Sequence, residues 1–402
     1  VRSTKGLAKD RFDRLHDVLN DYVDRGEVAG FVAAVHRGGE THVTTVGTQA
    51  LGNGVSMQRE TIFRVASMTK IPLAVAAMIL VEETKLRLDD PVDHFLPELA
   101  GRRVVRTIES PIDDTVPAER PISLRDLLTF RQGIGMIMAP PDTYPVQTAF
   151  DAANLGFSPT SPAITPDQWM QHLGQLPLMY QPGSTWVYNT GSDILGVLIA
   201  RAAGTPLAEF MHERIFEPLG MKDTAFHLPG SKLDRLATCY DVDPETGKLV
   251  VLDDPRGGAW SRPPIFPSGA GGLVSTADDF LTFGRMMLGE GQLGSTRILA
   301  RPTVQLMTRD HLTVEQKSQS PFIPGFWETK GWGLGMSVTL RQDNLGRSPG
   351  SIDWSGGFNT HWFADPNEGL VATLMLQRQL GNALSNDFIA DFETIVYQAI
   401  DD

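Results

Sequence analysis

The two ends of this chain carry the same kind of pattern in opposite order, and that limits the folds open to it more than any other feature. Near the start, Phe12, Leu15, Leu19, Tyr22 and Val23 recur at helical spacing across residues 8–25, and Gly26 ends the pattern. Two strand-like runs follow, 31–35 and 41–46, joined across Gly38-Gly39 as a hairpin. Near the finish, residues 335–340, 360–364 and 370–376 read as three more strands. A closing helix from about Asn386 to Ile400 puts Phe388, Ile389, Phe392, Ile395 and Val396 on one side. Strands from both ends close most simply into one antiparallel sheet with helices against it. Between about 88 and 255 the chain is rich in Pro and Gly, with short helical patterns at 124–130, 165–173 and 193–203 and no long strand alternation. Residues 136–162 show no period and are expected to form a long loop of the kind that often carries function. The expected fold is α/β: an antiparallel sheet flanked by helices, with an inserted mostly helical domain. Residues 1–87 and 256–402 make up the discontinuous sheet domain and 88–255 the helical one.

Composition narrows the function classes. The 402 residues carry 48 acidic against 35 basic side chains, a formal net charge of −13. That is the wrong sign for nucleic-acid backbones or anionic lipid heads, so no nucleic-acid partner is expected. The longest apolar run, 71–81, contains Pro72 and falls short of the roughly 18 to 20 residues that cross a bilayer, so no membrane span is expected. One cysteine, Cys239, rules out an intramolecular disulfide and a cysteine-cluster metal site. It fits a reducing compartment, and the reading is cytoplasmic. The basic start Val1-Arg2-Ser3-Thr4-Lys5-Gly6 has no apolar stretch behind it, although a chain lacking an initiator Met is also compatible with a removed leader.

Chemistry concentrates at Ser67-Met68-Thr69-Lys70, where one apolar segment gives way to the apolar helix 71–81. Positions i and i+3 share a helix face, so Ser67 Oγ and Lys70 Nζ can meet. A serine hydroxyl needs a neighbouring base to become a nucleophile. Lysine in an apolar first turn is pushed toward its neutral form by desolvation and by the helix dipole. Ser67 as a plain helix cap beside a solvent-seeking Lys70 is the bland alternative.

The surrounding sequence extends the match. Phe63-Arg64-Val65-Ala66-Ser67-Met68-Thr69-Lys70 continues into Leu86-Arg87-Leu88-Asp89-Asp90-Pro91-Val92. Leu127-Leu128-Thr129-Phe130-Arg131-Gln132-Gly133-Ile134 and Pro182-Gly183-Ser184-Thr185-Trp186-Val187-Tyr188-Asn189-Thr190-Gly191 come next. Gly271-Gly272-Leu273-Val274-Ser275-Thr276-Ala277-Asp278 and Trp354-Ser355-Gly356-Gly357 complete the series. In this order the motifs resemble the serine β-lactamase and penicillin-binding-protein superfamily, in its class C and family VIII carboxylesterase branch, over nearly the whole chain. The resemblance implies a serine β-lactamase-like fold, an active site in the cleft between the two domains, and acyl transfer through a covalent acyl-enzyme on Ser67. It implies that Lys70 and Tyr188 handle the proton, and that the N–H groups of Ser67 and Gly357 hold the oxyanion. Gly356, Ser355 and Trp354 would complete the substrate-binding strand. Two positions depart from the family pattern: Thr190 stands where its Tyr-x-Asn loop has Asn, and Trp354 where its Lys-Thr-Gly strand has lysine. Both changes remove contacts to a lactam, which favours neutral esters.

Gly346-Arg347-Ser348-Pro349-Gly350 imitates the nucleophile elbow of α/β-hydrolases, but Pro349 has no N–H for an oxyanion, and the segment reads as a turn. His361 is expected on a strand face and Cys239 in a structural role. The sequence therefore predicts a serine carboxylesterase with a small-molecule ester substrate, no cofactor and no metal, its oligomeric state unspecified. A β-lactamase, a D-amino-acid peptidase, an acyltransferase to an alcohol and a non-catalytic ligand-binding member remain as alternatives. The intact Ser–Lys–Tyr set speaks against the last.

Overall fold

A computed structural model describes residues 6–52, 54–156, 158–320, 322–342, 344–381 and 387–401. The start at Val1 and the first residue of the expected closing helix, Asn386, lie outside them. Seven strands form the main sheet: β1 (Gly30–Arg37), β2 (Glu40–Gly47), β3 (Lys330–Trp332), β4 (Ser337–Thr339), β5 (Ile352–Ser355), β6 (His361–Asp365) and β7 (Leu370–Met375). Their spatial order is β3-β4-β5-β6-β7-β1-β2, with every neighbour antiparallel. The first strand therefore lies beside the last, Val32 opposite Met375 and Arg37 opposite Leu370.

Side chains alternate across a strand, and here both faces are covered. Phe31, Ala33 and Val35 pack with Phe363 and Leu374 against the terminal helices α1 (Arg14–Asp24) and α6 (Asp387–Gln398), through Leu15, Leu19, Phe388 and Phe392. Val32 and Ala34 point the other way, into the larger core with Trp362, Val371 and helices α2 (Lys70–Glu82) and α5 (Ala277–Leu288). Burial on both faces explains why 31–35 is continuously apolar. The amphipathic segment at the start is split: a short helix, Lys9–Phe12, precedes α1.

Between β2 and β3 the regular elements are mainly helices set among long stretches of turn and loop, with short strand pairs such as Arg103–Val105/Thr115–Pro117 and Cys239–Val242/Leu249–Asp253. The expected long loop at 136–162 needs correction. It contains helix α3 (Pro145–Ala152), with Pro at its first position and Val146 and Phe150 buried one turn apart. Flanking prolines and a face only two residues wide hid its period. Helix α4 (Thr190–Ala203) is buried on nearly every position through Ile199 and packs on α2. Among the described residues, no single helix is long and apolar enough to cross a membrane.

Candidate active site

The segment 63–70 is held before it turns. Phe63 and Arg64 pair with Ser275 and Val274, Val65 N–H donates to the Leu273 carbonyl at 3.0 Å, and Leu273 N–H donates to Thr69 Oγ1 at 3.2 Å. A 3₁₀ turn, Ala66–Thr69, then leads into α2, with Ala66 at a positive φ of 44°. Left-handed backbone at alanine is strained, and such strain gathers at functional positions. Ser67 is buried and makes no capping bond, so the cap alternative does not describe it. Every residue of α2 from Lys70 to Leu80 is buried.

Lys70 therefore sits in a dry first turn. Its Nζ lies 2.9 Å from Ser67 Oγ and 2.5 Å from the Ala270 carbonyl. Desolvation lowers the ammonium pKa to about 7, with the nearby Asp193 carboxylate opposing the shift. Asp193, on the first turn of α4, accepts from Ser268 Oγ at 2.7 Å and from Ala270 N–H at 3.1 Å. It thus fixes the backbone that receives Lys70. Burial raises the pKa of this carboxyl in turn.

Tyr188 reaches the same place from a loop far along the chain. Val187 N–H donates to the Phe130 carbonyl, Met136 N–H to the Tyr188 carbonyl, and the Gln132 amide to the Ile134 and Val187 carbonyls. These bonds clamp the loop and bring the Tyr188 ring 4.8 Å from Lys70 Nζ. Its hydroxyl accepts from Trp354 Nε1 at 2.8 Å. Burial pushes the phenol pKa up, and the contacts with Ser67 and Trp354 pull it partly back. Trp354 is itself buried, at the end of an aromatic cluster that includes Trp332, Phe322 and Phe326.

Ser355 Oγ lies 2.8 Å from His361 Nδ1, so it is turned toward the next strand. Gly356 has no room for a side chain, because a Cβ would collide with Thr360 Oγ1 and the Val65 carbonyl. Its N–H donates to the Thr360 carbonyl. Gly357 is open: a Cβ there would meet nothing within 4 Å. Ser67 and Gly357 line the same cavity, of about 70 Å³, and among the described residues their N–H groups have no hydrogen-bond partner. Asp193 is the one charged residue among those described as lining it. Neither Arg131 nor Arg378 reaches it.

Other positions fall elsewhere. Ser348 Oγ donates to Asp365 at 2.5 Å in a turn before β5. His361 lies on β6 with Nε2 2.9 Å from Glu393. Cys239 is buried, and desolvation pushes its thiol up to about 12. The sequence reading missed Asp193 and the pairing of Trp354 with Tyr188. Asp193 follows Tyr188 by one helical turn and a little more, but nothing in its neighbours marks it as inward-facing.

Comparison with known proteins agrees with this architecture. A family model described as beta-lactamase matches residues 15–393. A Mycobacterium tuberculosis protein designated Rv1367c is 37% identical over 89% of this chain and 88% of its own. A lovastatin esterase of Penicillium rubens is 29% identical over 92% and 94%. The structure of EstCE1, described as a hydrolase with promiscuous acyltransferase activity, superposes with a TM-score of 0.78 at 24% identity, covering 96% of this chain and 99% of that one. The antiparallel sheet with its helices is the serine β-lactamase-like fold, and the chain belongs to the β-lactamase family of hydrolases and acyltransferases.

Proposed function

We propose that the protein is a serine carboxylesterase that cleaves neutral esters through an acyl-enzyme on Ser67, in a cleft between a sheet domain (1–87, 256–402) and a helical domain (88–255). The observation that carries this reading is the 2.9 Å approach of a desolvated Lys70 to Ser67, which lines a cavity with no Lys or Arg among its described lining residues. With a pKa of about 7, Lys70 is substantially uncharged at neutral pH and accepts the serine proton as Oγ attacks the carbonyl. The N–H groups of Ser67 and Gly357 stabilise the negative oxygen that develops. Tyr188 stays protonated because burial raises its pKa. Its hydroxyl passes the proton from Lys70 to the departing alkoxide. Water then attacks the acyl-serine by the reverse route. A lactam or peptide with a free carboxylate would meet Asp193 and no Lys or Arg among the described lining residues, which supports neutral esters over those substrates. The names of the lovastatin esterase and of EstCE1 fit the same chemistry.

The test is initial rates on p-nitrophenyl acetate and on a chromogenic cephalosporin, with Ser67→Ala and Ser348→Ala beside the wild type. Ester turnover should vanish in the first variant and persist in the second. A fluorophosphonate label found on Ser348, or cephalosporin hydrolysis that outpaces ester hydrolysis, would overturn the assignment.

A further inference from the structure

The segment 268–273 contains the Gly271-Gly272 motif, and no step of the proposed reaction uses it. It threads between α2 and α4. A Cβ at Gly269 would lie 2.5 Å from the Ser192 carbonyl oxygen on α4 and 2.8 Å from Leu73 Cδ2 on α2, so the crossing leaves room for glycine alone. Gly272 N–H donates to the Ser268 carbonyl at 2.9 Å and closes the turn. Trp260 Nε1 donates to the Gly272 carbonyl at 2.8 Å and pins its far end. Just beyond, Leu273 holds Val65 and Thr69 on either side of Ser67.

Asp193 grips this turn from α4. A single oxygen, Oδ1, accepts from both Ser268 Oγ and Ala270 N–H. The carbonyl of the same Ala270 accepts from Lys70 Nζ, which also meets Ser67 Oγ. All four of Asp193, Ser268, Ala270 and Lys70 are buried. A hydrogen-bonded line therefore runs from α4 through the turn to the lysine at the head of α2. Among the described residues, the charged group that bears on Lys70 is Asp193. The Tyr188 phenol also lies against it and is kept neutral by burial. At Asp193 the bonds from Ser268 and Ala270 favour the ionised carboxyl, while burial opposes it.

We propose that Asp193 is a positioning residue for the reaction at Ser67: through Ser268 and Ala270 it aims Lys70 at the serine, and its carboxylate steadies the amine once the serine proton has arrived. The proposal rests on the acyl-transfer reading of Ser67 and Lys70. Aim and charge have separate consequences. The Ala270 carbonyl accepts an N–H from the amine in either protonation state, so one hydrogen is always held and the lone pair of the neutral form is left for Ser67. The charge acts on the proton equilibrium instead. A lone ammonium in a dry site is unfavourable, and a nearby carboxylate offsets part of that penalty. Without the carboxylate, Lys70 gives up its proton at a lower pH.

The test is the rate constant for fluorophosphonate labelling of Ser67 as a function of pH, with p-nitrophenyl acetate turnover alongside. The labelling constant does not depend on how much of a sample is folded, and it reads the base whether or not an ester is cleaved. Asp193→Asn keeps an oxygen for Ser268 and Ala270 but loses the charge, so its pH limb should lie about one unit below that of the wild type. Asp193→Ala loses both. Its limb should move as far, and its plateau should fall on the order of a hundredfold below that of the asparagine variant, the effect of a misaimed base. Ser268→Ala retains the charge and should leave the limb in place. An asparagine limb at the wild-type pH overturns the proposal, and so does an alanine plateau as high as the asparagine one. A Ser268→Ala limb displaced as far as that of Asp193→Asn also overturns it, because the turn and not the carboxylate would then set the limb. Labelling of Ser67 without turnover of p-nitrophenyl acetate defeats the ester reading alone, since the labelling limb still decides this one.

Discussion

The base role proposed for Lys70 requires an uncharged amine, and the structure ties that condition to burial. Because desolvation lowers its pKa to about 7, protonated lysine dominates below that pH and neutral lysine above it. In the proposed mechanism, kcat/KM for a neutral ester should therefore rise through a single limb centred near pH 7. A profile flat from pH 5.5 to 8.5 would remove Lys70 from the base role. Tyr188→Phe keeps the ring and its packing but deletes the hydroxyl proposed to carry the proton. It should lower kcat on the order of a hundred- to ten-thousand-fold with little change in KM, measured under saturating p-nitrophenyl ester. Retention of most of kcat would make Tyr188 a packed aromatic. At this scale legibility in the sequence follows distance along the chain. The Ser67–Lys70 contact spans three positions, so helix geometry alone places it. The Trp354–Tyr188 bond spans 166, and no local pattern can announce it.

Elements were readable where their periods were long and clean. The terminal helices, the first hairpin, β6 and β7 follow the apolar pattern, whereas the three-residue β3 went unread and α3 did not emerge because two buried residues between prolines make no measurable period. Also hidden was what lies beneath β5. Asp353 meets Lys330 at 3.1 Å and also pairs with Arg347; Arg347 reaches Glu393 at 3.2 Å, and Glu393 lies 2.9 Å from His361. This buried chain ties β3, β5, β6 and α6 together under the strand that carries Trp354 and Ser355. The pKa values of Asp353 and Glu393 are lowered, although burial alone would raise them, because the facing cations win. Their contribution is thus complete above the unfolded carboxyl range of about 4. It is lost as pH falls through the lower folded values. Asp353→Ala leaves two buried cations short of a partner and should cost roughly 3–5 kcal/mol in chemical denaturation. Arg59→Ala, at an exposed pair with Asp278, should cost no more than about 1 kcal/mol. Equal losses would show that the buried chain has no special role.

At the scale of the whole molecule, the proposed preference for neutral esters rests on the charge of the cavity wall. A charge-assisted hydrogen bond to a substrate carboxylate is worth roughly 1.5–3 kcal/mol, and the described wall offers no cation to make one. Trp354→Lys places an ammonium beside Tyr188 and should shift the ratio of cephalosporin to ester kcat/KM upward by about ten- to a hundredfold. An unchanged ratio would locate substrate selection elsewhere than at residue 354. The order of the sheet has a consequence of another kind, in how the protein is made. Val32 waits for Met375, and Ala8 N–H for the Ala399 carbonyl. At about 5–20 residues per second, synthesis of the chain occupies roughly 20 to 80 s. Through almost all of that time the first hairpin leaves the ribosome with a bare apolar edge, exposed to stray strand pairing. The last strand to be translated is the one that joins the first hairpin to the rest of the sheet. Yield in a cell should therefore depend on what shelters the nascent hairpin, and a ribosome that stalls before residue 370 leaves an unfinished, aggregation-prone product however stable the finished enzyme is.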